Sequence, residues 1–484
     1  MAAAALPAAA VQGGRGGLSW RRILDRQPYR RSPRPGSAGG ASVAAAGAYP
    51  VRPPTVLNPV DTKSLFLDPA VADASHSTMA RGMKGSAILK VAAEIRAMQA
   101  AGREVCNLTV GDFDPKQFPV PPQLIAATEA ALRAGHTNYP PSDGVLELRQ
   151  AVQRYYEREL GLRYPVESVL IASGARPILF AAYGCVLDPG ETVVYPVPSW
   201  NNSYYVQLFS ARAITVPVTK ATRFHPTAAE LAPHVRDARL LVVNSPQNPT
   251  GTVIPPEQLR AIAQLVVDEN ERRKGTGQKA LFLLYDQVYW TLTFGGQKHV
   301  TPIELAPACA PYVILLDAIS KSFAATGMRV GWAVGSPAII ARMRDYLGHV
   351  GAWAPRAEQI ATAQWLDAVE PRHAWQREYT AQIQRRLDAL YHGFRAMAAE
   401  GLPIDVIEPQ GAIYLSVRFD CVGTRFANNE ELRRFLLERA GMAVVPFQAF
   451  GLPDETGWCR ISVGACSLAD IERMLPRLRD ALRG

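Results

Sequence analysis

Apolar positions change their spacing twice along this chain. From about Ser86 they recur at helical intervals (Ile88, Val91, Ile95, Met98) and stop at Gly102, which predicts one helix. A short strand over 105–110, a helix over 122–133 and a long amphipathic helix over 146–160 are predicted next, the last behind the turn Asn138-Tyr139-Pro140-Pro141-Ser142-Asp143-Gly144. Between about 169 and 335 the texture becomes short β-branched runs alternating with helical segments. The strands fall at 169–172, 192–195, 213–218, 240–244, 280–285, 312–316 and 329–334. Several are apolar on both faces, the mark of a parallel sheet covered by helices on each side. The fold class is therefore α/β, a doubly wound domain that binds ligands in the crevice beyond its strands' carboxyl ends. After Pro355 long helices return (about 356–368 and 372–400), followed by strands near 412–419 and 459–463. These predict a smaller α+β domain shared with residues 60–110, beside a large domain over 111–355, with 356–484 as the C-terminal part. No internal repeat of 20–50 residues interrupts this plan.

Composition refines the picture. The 484 residues are 48% hydrophobic, enough for full cores. Net charge is +9, but residues 1–60 hold eight arginines and one acid, Asp25, so the basic balance belongs to the tail. A basic nucleic-acid face on the folded part is therefore not expected, although the tail alone could touch polyanions. The Ala/Gly/Pro/Arg-rich stretch 1–59 cannot bury enough surface to order itself and is expected to be a disordered extension. Its arginine-rich, acid-poor make-up also matches an organellar transit peptide, the alternative to a cytoplasmic protein. Six cysteines form no Cys-x-x-Cys pair and no metal-ligand cluster with His, so buried free thiols are expected and no metal. No apolar run reaches the ~18 residues that cross a bilayer, so no membrane partner is expected.

Residues just past the carboxyl end of each strand carry the chemistry. Ser173-Gly174-Ala175-Arg176-Pro177 opens a helix whose first N–H groups and positive dipole end form an anion site, with Pro177 suited to the first helical position. Pro196-Val197-Pro198-Ser199-Trp200 places an indole over the same crevice, either as core or as a platform for a planar ring. The rigid turn Ser245 to Gly251 aims Asn248 inward, or is a plain Pro/Gly turn. Asp286 ends a buried strand and needs a positive partner, and Tyr289 follows it. Lys321 arrives behind Asp317-Ala318-Ile319-Ser320, with Arg329 eight residues beyond; desolvation and a neighbouring cation lower such an amine's pKa and make it nucleophilic. A phosphorylated aldehyde with a pyridine nitrogen, pyridoxal 5′-phosphate, uses every one of these groups.

Asn248-Pro249-Thr250-Gly251, Tyr285-Asp286-Gln287-Val288-Tyr289 and Ser320-Lys321-Ser322-Phe323-Ala324-Ala325-Thr326-Gly327-Met328-Arg329-Val330-Gly331 together resemble the class I/II aminotransferases of PLP fold type I, as do Gly111-Asp112-Phe113-Asp114 and Tyr139…Gly144. The likeness runs from about residue 85 to the C-terminus. It implies a large domain with a mostly parallel seven-stranded sheet sandwiched by helices, and a ping-pong transaminase acting through a Lys321 Schiff base. Catalytic roles fall to Lys321, Asp286 and Tyr289. The resemblance assigns the cofactor to Ala175, Arg176, Trp200, Asn248, Asp286, Tyr289, Lys321 and Arg329, with Tyr139 reaching the site of a neighbouring subunit in a homodimer. Arg460 clamps the substrate α-carboxylate, which Gly111 and Asn248 also approach. Amino acids and 2-oxo acids are the implied small-molecule partners. One departure is Ala318, where the family often has a phosphate-binding Ser, so that either Ser320 or Ser322 substitutes or the phosphate relies more on Arg329 and the helix end. The others are Met328 for a frequent Trp, and Arg356 at a position often held by a small hydroxyl residue, either for a substrate side-chain carboxylate or as a surface residue. The alternative within the same fold is a PLP lyase or cyclising enzyme, of C–S β-lyase or aminocyclopropane-carboxylate synthase type.

Overall fold

The computed structural model describes residues 59–484 apart from Lys84 and Ser86, so the expected disorder of the N-terminal extension concerns residues outside the described ones. The chain divides into units 1–69 and 70–484. Of the first, Lys63–Leu65 forms a single 3₁₀ turn. The second holds a seven-stranded sheet, a four-stranded sheet, a two-stranded pair and the helices packed on them.

Its centre is a seven-stranded sheet: β1 (Val169–Ala172), β2 (Thr192–Val197), β3 (Arg212–Pro217), β4 (Ala238–Asn244), β5 (Phe282–Asp286), β6 (Val313–Ala318) and β7 (Gly331–Val334), in the order β1-β7-β6-β5-β4-β2-β3. Alternate residues of one strand enter opposite apolar clusters. Leu170, Leu284 and Leu316 join one, and Ile171, Leu283 and Leu315 the other. That period of two, with both sets buried, is why these runs read as apolar throughout.

Six strands point the same way, and β7 runs against both of its neighbours. Its amino end therefore lies at the carboxyl ends of the others, Gly331 facing Ala172 on one side and Ala318 on the other. The expected strand over 329–334 starts two residues late, because Arg329 adopts left-handed backbone (φ 59°) and turns back over the sheet's edge. Likewise the helix after β1 begins at Ala175 rather than at Pro177, which sits inside its first turn, where a missing N–H costs no helical bond.

A second sheet is antiparallel: β8 (Ile404–Val406), β9 (Tyr414–Phe419), β10 (Val445–Pro446) and β11 (Trp458–Ser462), ordered β10-β11-β9-β8. Helices Val369–Ala399 and Asn429–Ala440 pack on it, and Leu468–Arg483 packs on those two helices. The strand expected over 105–110 shrinks to Cys106–Asn107, which pairs with Met442–Ala443. Beyond it the chain runs along β11: Ser462 N donates to Leu108 O (2.8 Å) and Ser462 Oγ to Val110 O (2.7 Å). Those two bonds deliver Gly111 to the crevice. No helix among the described residues is long and apolar enough to cross a membrane, and all six cysteines are free.

Candidate active site

A cavity of about 580 Å³ opens at the carboxyl ends of the large sheet and is closed on one side by β9 and β11. It is lined by Gly111, Ala175, Arg176, Trp200, Asn248, Asp286, Tyr289, Lys321, Arg329 and Arg460, which is every residue the sequence predicts except Tyr139.

Lys321 lies in a single helical turn, Ile319–Ser322, directly after β6. Its Nζ donates to Gly111 O at 2.5 Å and lies 5.5 Å from the centre of the Phe113 ring. Burial pulls its pKa down to about 8; Arg460, Arg329 and Arg176 act in the same direction, and Asp112 opposes them. Its own carbonyl accepts the Tyr379 hydroxyl (2.8 Å), which fixes the turn that carries it.

Asp286 closes β5 and is almost wholly buried. Burial raises its pKa to about 7, with only the Val288 N–H (3.1 Å) stabilising the charge. No Lys, Arg or His among the described residues forms an ion pair with this carboxylate, so none of them supplies the positive partner expected from the sequence. Asp317, one strand over, shows what a structural buried acid looks like. Its side chain takes the Trp290 indole N–H (2.8 Å) and the Ala318 N–H (2.7 Å), and it does not line the cavity.

The anion end is built on the helix Ala175–Val186. Its N-cap, Gly174, has φ 84°, and a Cβ there would run into the Arg329 guanidinium. Arg329 is anchored by Thr326 O (2.7 Å) and Ser173 O (2.9 Å), which sets a cation beside the helix's free N–H groups. The Arg176 side chain is exposed and stacks on Trp200, 4.9 Å from the ring centre. Trp200 is half-buried at the rim, a wall of the cavity rather than core alone. Ala318 is buried in β6; of the two serines considered in its place, Ser320 lines the cavity and Ser322 does not.

At the opposite end lies Arg460, fully buried on β11. It donates to Asn248 Oδ1 (3.1 Å) and to Thr109 O, and its Nε has no partner. Rings of Tyr414 and Phe450 flank its guanidinium at 4.7 and 4.8 Å. Gly111 is required by close approach: a Cβ would meet Tyr414 Oη at 2.7 Å. Tyr414 itself was not singled out by the sequence. It lines the cavity, fully buried, with its hydroxyl 2.6 Å from that of Tyr289.

Tyr139 is 81% exposed, its ring edge-on to Trp353 at 5.3 Å, and it lies outside this chain's cavity. Arg356 bonds the neighbouring Asn138 and is likewise outside.

A family model described as aminotransferase class I and II matches residues 103–478. The aspartate aminotransferase of Rhizobium meliloti is 30% identical over 407 residues, 82% of this chain and 94% of that one. The probable aspartate/prephenate aminotransferase of Thermus aquaticus is 32% identical over 380 residues, covering 78% and 92%. Among solved structures, the Thermus thermophilus aspartate aminotransferase with maleate aligns with a TM-score of 0.75 at 28% identity, covering 84% of this chain and all of that one.

Proposed function

The chain belongs to the class I and II aminotransferases, a pyridoxal 5′-phosphate-dependent family with the aspartate aminotransferase-like fold, and from that premise we propose a ping-pong exchange of an amino group between an L-amino acid and a 2-oxo acid, with Lys321 as the amine that holds the cofactor. Asp286 is the observation that carries this reading. A carboxylate buried without a cation is costly unless a ligand brings the positive charge, and a pyridinium N–H is such a charge. The other ends of the cavity fit the same molecule. Arg329 and the N-terminus of Ala175–Val186 suit a phosphate, Trp200 a ring face, and the lowered pKa of Lys321 an amine that condenses with an aldehyde.

When bound, pyridoxal 5′-phosphate supplies an aldehyde that condenses with amines and a ring that accepts the electron pair left on the substrate α-carbon. The chain's residues do the rest. Arg329, Ser320 and the backbone N–H groups of Ala175 and Arg176 hold the phosphate. Asp286 keeps the proton on the ring nitrogen. Asn248, whose Oδ1 is taken by Arg460, has its amide N–H free to donate to the phenolic oxygen, as does the Tyr289 hydroxyl. Arg460 takes the α-carboxylate with a planar fork that a lysine could not copy. Lys321 Nζ moves the proton at the α-carbon, general acid–base catalysis typically worth ~10²–10⁴-fold. Residues 111–355 then form a cofactor-binding large domain, and 356–484 with part of 60–110 a small domain that brings Arg460. In a homodimer the partner's Tyr139 reaches the phosphate.

Lys321→Ala is expected to abolish transamination while phosphate-end binding persists; turnover at the wild-type rate would refute the assignment. Borohydride reduction of the wild-type holoenzyme, followed by peptide mass spectrometry, should place the adduct on Lys321. The names of the relatives make aspartate the first amino donor to assay, with 2-oxoglutarate chosen as a general 2-oxo acid acceptor. A panel of amino donors then defines the substrate, and half-reaction spectra with amino acid alone separate transamination from a lyase.

A further inference from the structure

Two phenol hydroxyls 2.6 Å apart share one hydrogen bond, so one proton lies between Tyr289 and Tyr414 and the other points elsewhere. Geometry decides which is which. Burial raises the pKa of both phenols, but the Arg460 guanidinium over the Tyr414 ring at 4.7 Å offsets part of the rise there. The shared bond lowers Tyr414 while it raises Tyr289, so Tyr414 is the better donor. The Tyr414 hydroxyl is also confined. Gly111 leaves just enough room for it, since a Cβ would meet the oxygen at 2.7 Å, and the Gly111 carbonyl is the acceptor for Lys321 Nζ. The remaining proton, on Tyr289, is left facing the cavity that both tyrosines line. Arg460 from β11, Asp286 from the end of β5, Asp112 from the loop beside Gly111, and Lys321, 6.0 Å from the Tyr289 ring, are the charged groups facing the pair.

We propose that Tyr414 is a positioning residue, whose hydroxyl donates to Tyr289 Oη, aims the Tyr289 proton into the cavity and ties that proton to the arginine at the carboxylate end. This rests on the reading that the cavity holds pyridoxal 5′-phosphate. A phenol that receives a hydrogen bond is the stronger donor in turn. Tyr289 so polarised disfavours protonation of the cofactor–lysine linkage, and the pH midpoint of the holoenzyme's visible band reports that balance without any turnover.

The test titrates that band in the wild type, Tyr414→Phe, Tyr289→Phe and the double variant. Tyr414→Phe is expected to move the midpoint upward by about half a pH unit, roughly threefold in proton affinity. Tyr289→Phe moves it further, and the double variant matches Tyr289→Phe alone, because Tyr414 acts only through Tyr289. Gly111→Ala, which crowds the Tyr414 oxygen, shifts the midpoint the same way and serves as the second variant should Tyr414→Phe fold poorly. An unshifted midpoint in Tyr414→Phe with a lowered melting temperature would assign Tyr414 to packing and overturn the proposal, as would shifts that add in the double variant. A wild-type chain that gives no such band refutes the parent reading instead, and this one with it.

Discussion

A carboxylate removed from water beside a single backbone N–H is unfavourable, and Asp286 is held in that condition with its pKa raised to about 7. The free residue titrates near ~3.9. The folded state therefore binds more protons than the unfolded state between about pH 4 and pH 7, so this residue's contribution to stability is lost as pH rises through that window. Asp286→Asn in the cofactor-free protein should raise the melting temperature at pH 8 and leave it nearly unchanged at pH 4, a difference on the order of 3–4 kcal/mol at most. Asp317 is pushed up to about 8 chiefly by its own burial and slopes the same way in both proteins; the Asp286 charge adds a smaller upward push, so the comparison removes the Asp317 slope except for that coupling. The same variant should lose roughly 10²–10³-fold in turnover once loaded, because a charge placed to hold the ring proton is gone. A variant no more stable at alkaline pH would mean that Asp286 is not strained in the free chain. At this scale most of the cavity's lining was legible, since Lys321, Asp286, Asn248 and Trp200 each lie at or just past the end of a strand. Tyr414 was not. A tyrosine inside a buried strand reads as core, and the fold alone brings it to Tyr289, 125 positions away.

Element direction is where the sequence ran out. A strand buried on both faces has the same apolar pattern whichever way it runs, so nothing in 329–334 distinguishes an antiparallel β7 from a parallel one. That reversal is what puts Arg329 beside Ser173 and the helix N-terminus. The join between them depends on Gly174. Its φ of 84° is uncommon for residues with a Cβ, and such a Cβ would enter the Arg329 guanidinium. Gly174→Ala should cost about 1–2 kcal/mol of stability from backbone strain. It should also weaken cofactor binding about tenfold or more by displacing the cation, since a tenfold loss corresponds to ~1.4 kcal/mol. Equilibrium titration of the apoprotein with pyridoxal 5′-phosphate and a melting curve read the two effects separately. Unchanged affinity in a folded Gly174→Ala protein would remove Arg329 from the phosphate site.

For the whole molecule, the two sheets meet at one cavity, yet Tyr139 stands outside it, 81% exposed against Trp353, with Arg356 bonded to the adjacent Asn138. An aromatic in that position has a use if a second copy of the chain lies over it, and the proposed homodimer makes a definite demand. Tyr139→Phe should weaken cofactor binding although the residue touches nothing in its own cavity, and the loss should be repairable by another subunit. Co-expression of differently tagged Lys321→Ala and Tyr139→Phe chains, purified through both tags, yields hybrids. In each hybrid, one site combines an intact Lys321 with the partner's Tyr139. The Lys321→Ala homodimer is inactive, and the Tyr139→Phe homodimer works poorly at limiting cofactor. The hybrid should recover wild-type affinity at its single competent site. If each chain used its own Tyr139, mixing would restore nothing, and the hybrid would retain the affinity of the Tyr139→Phe protein. The two results differ in the position of the cofactor-activation curve rather than in its height, so partial inactivation of either chain does not blur them.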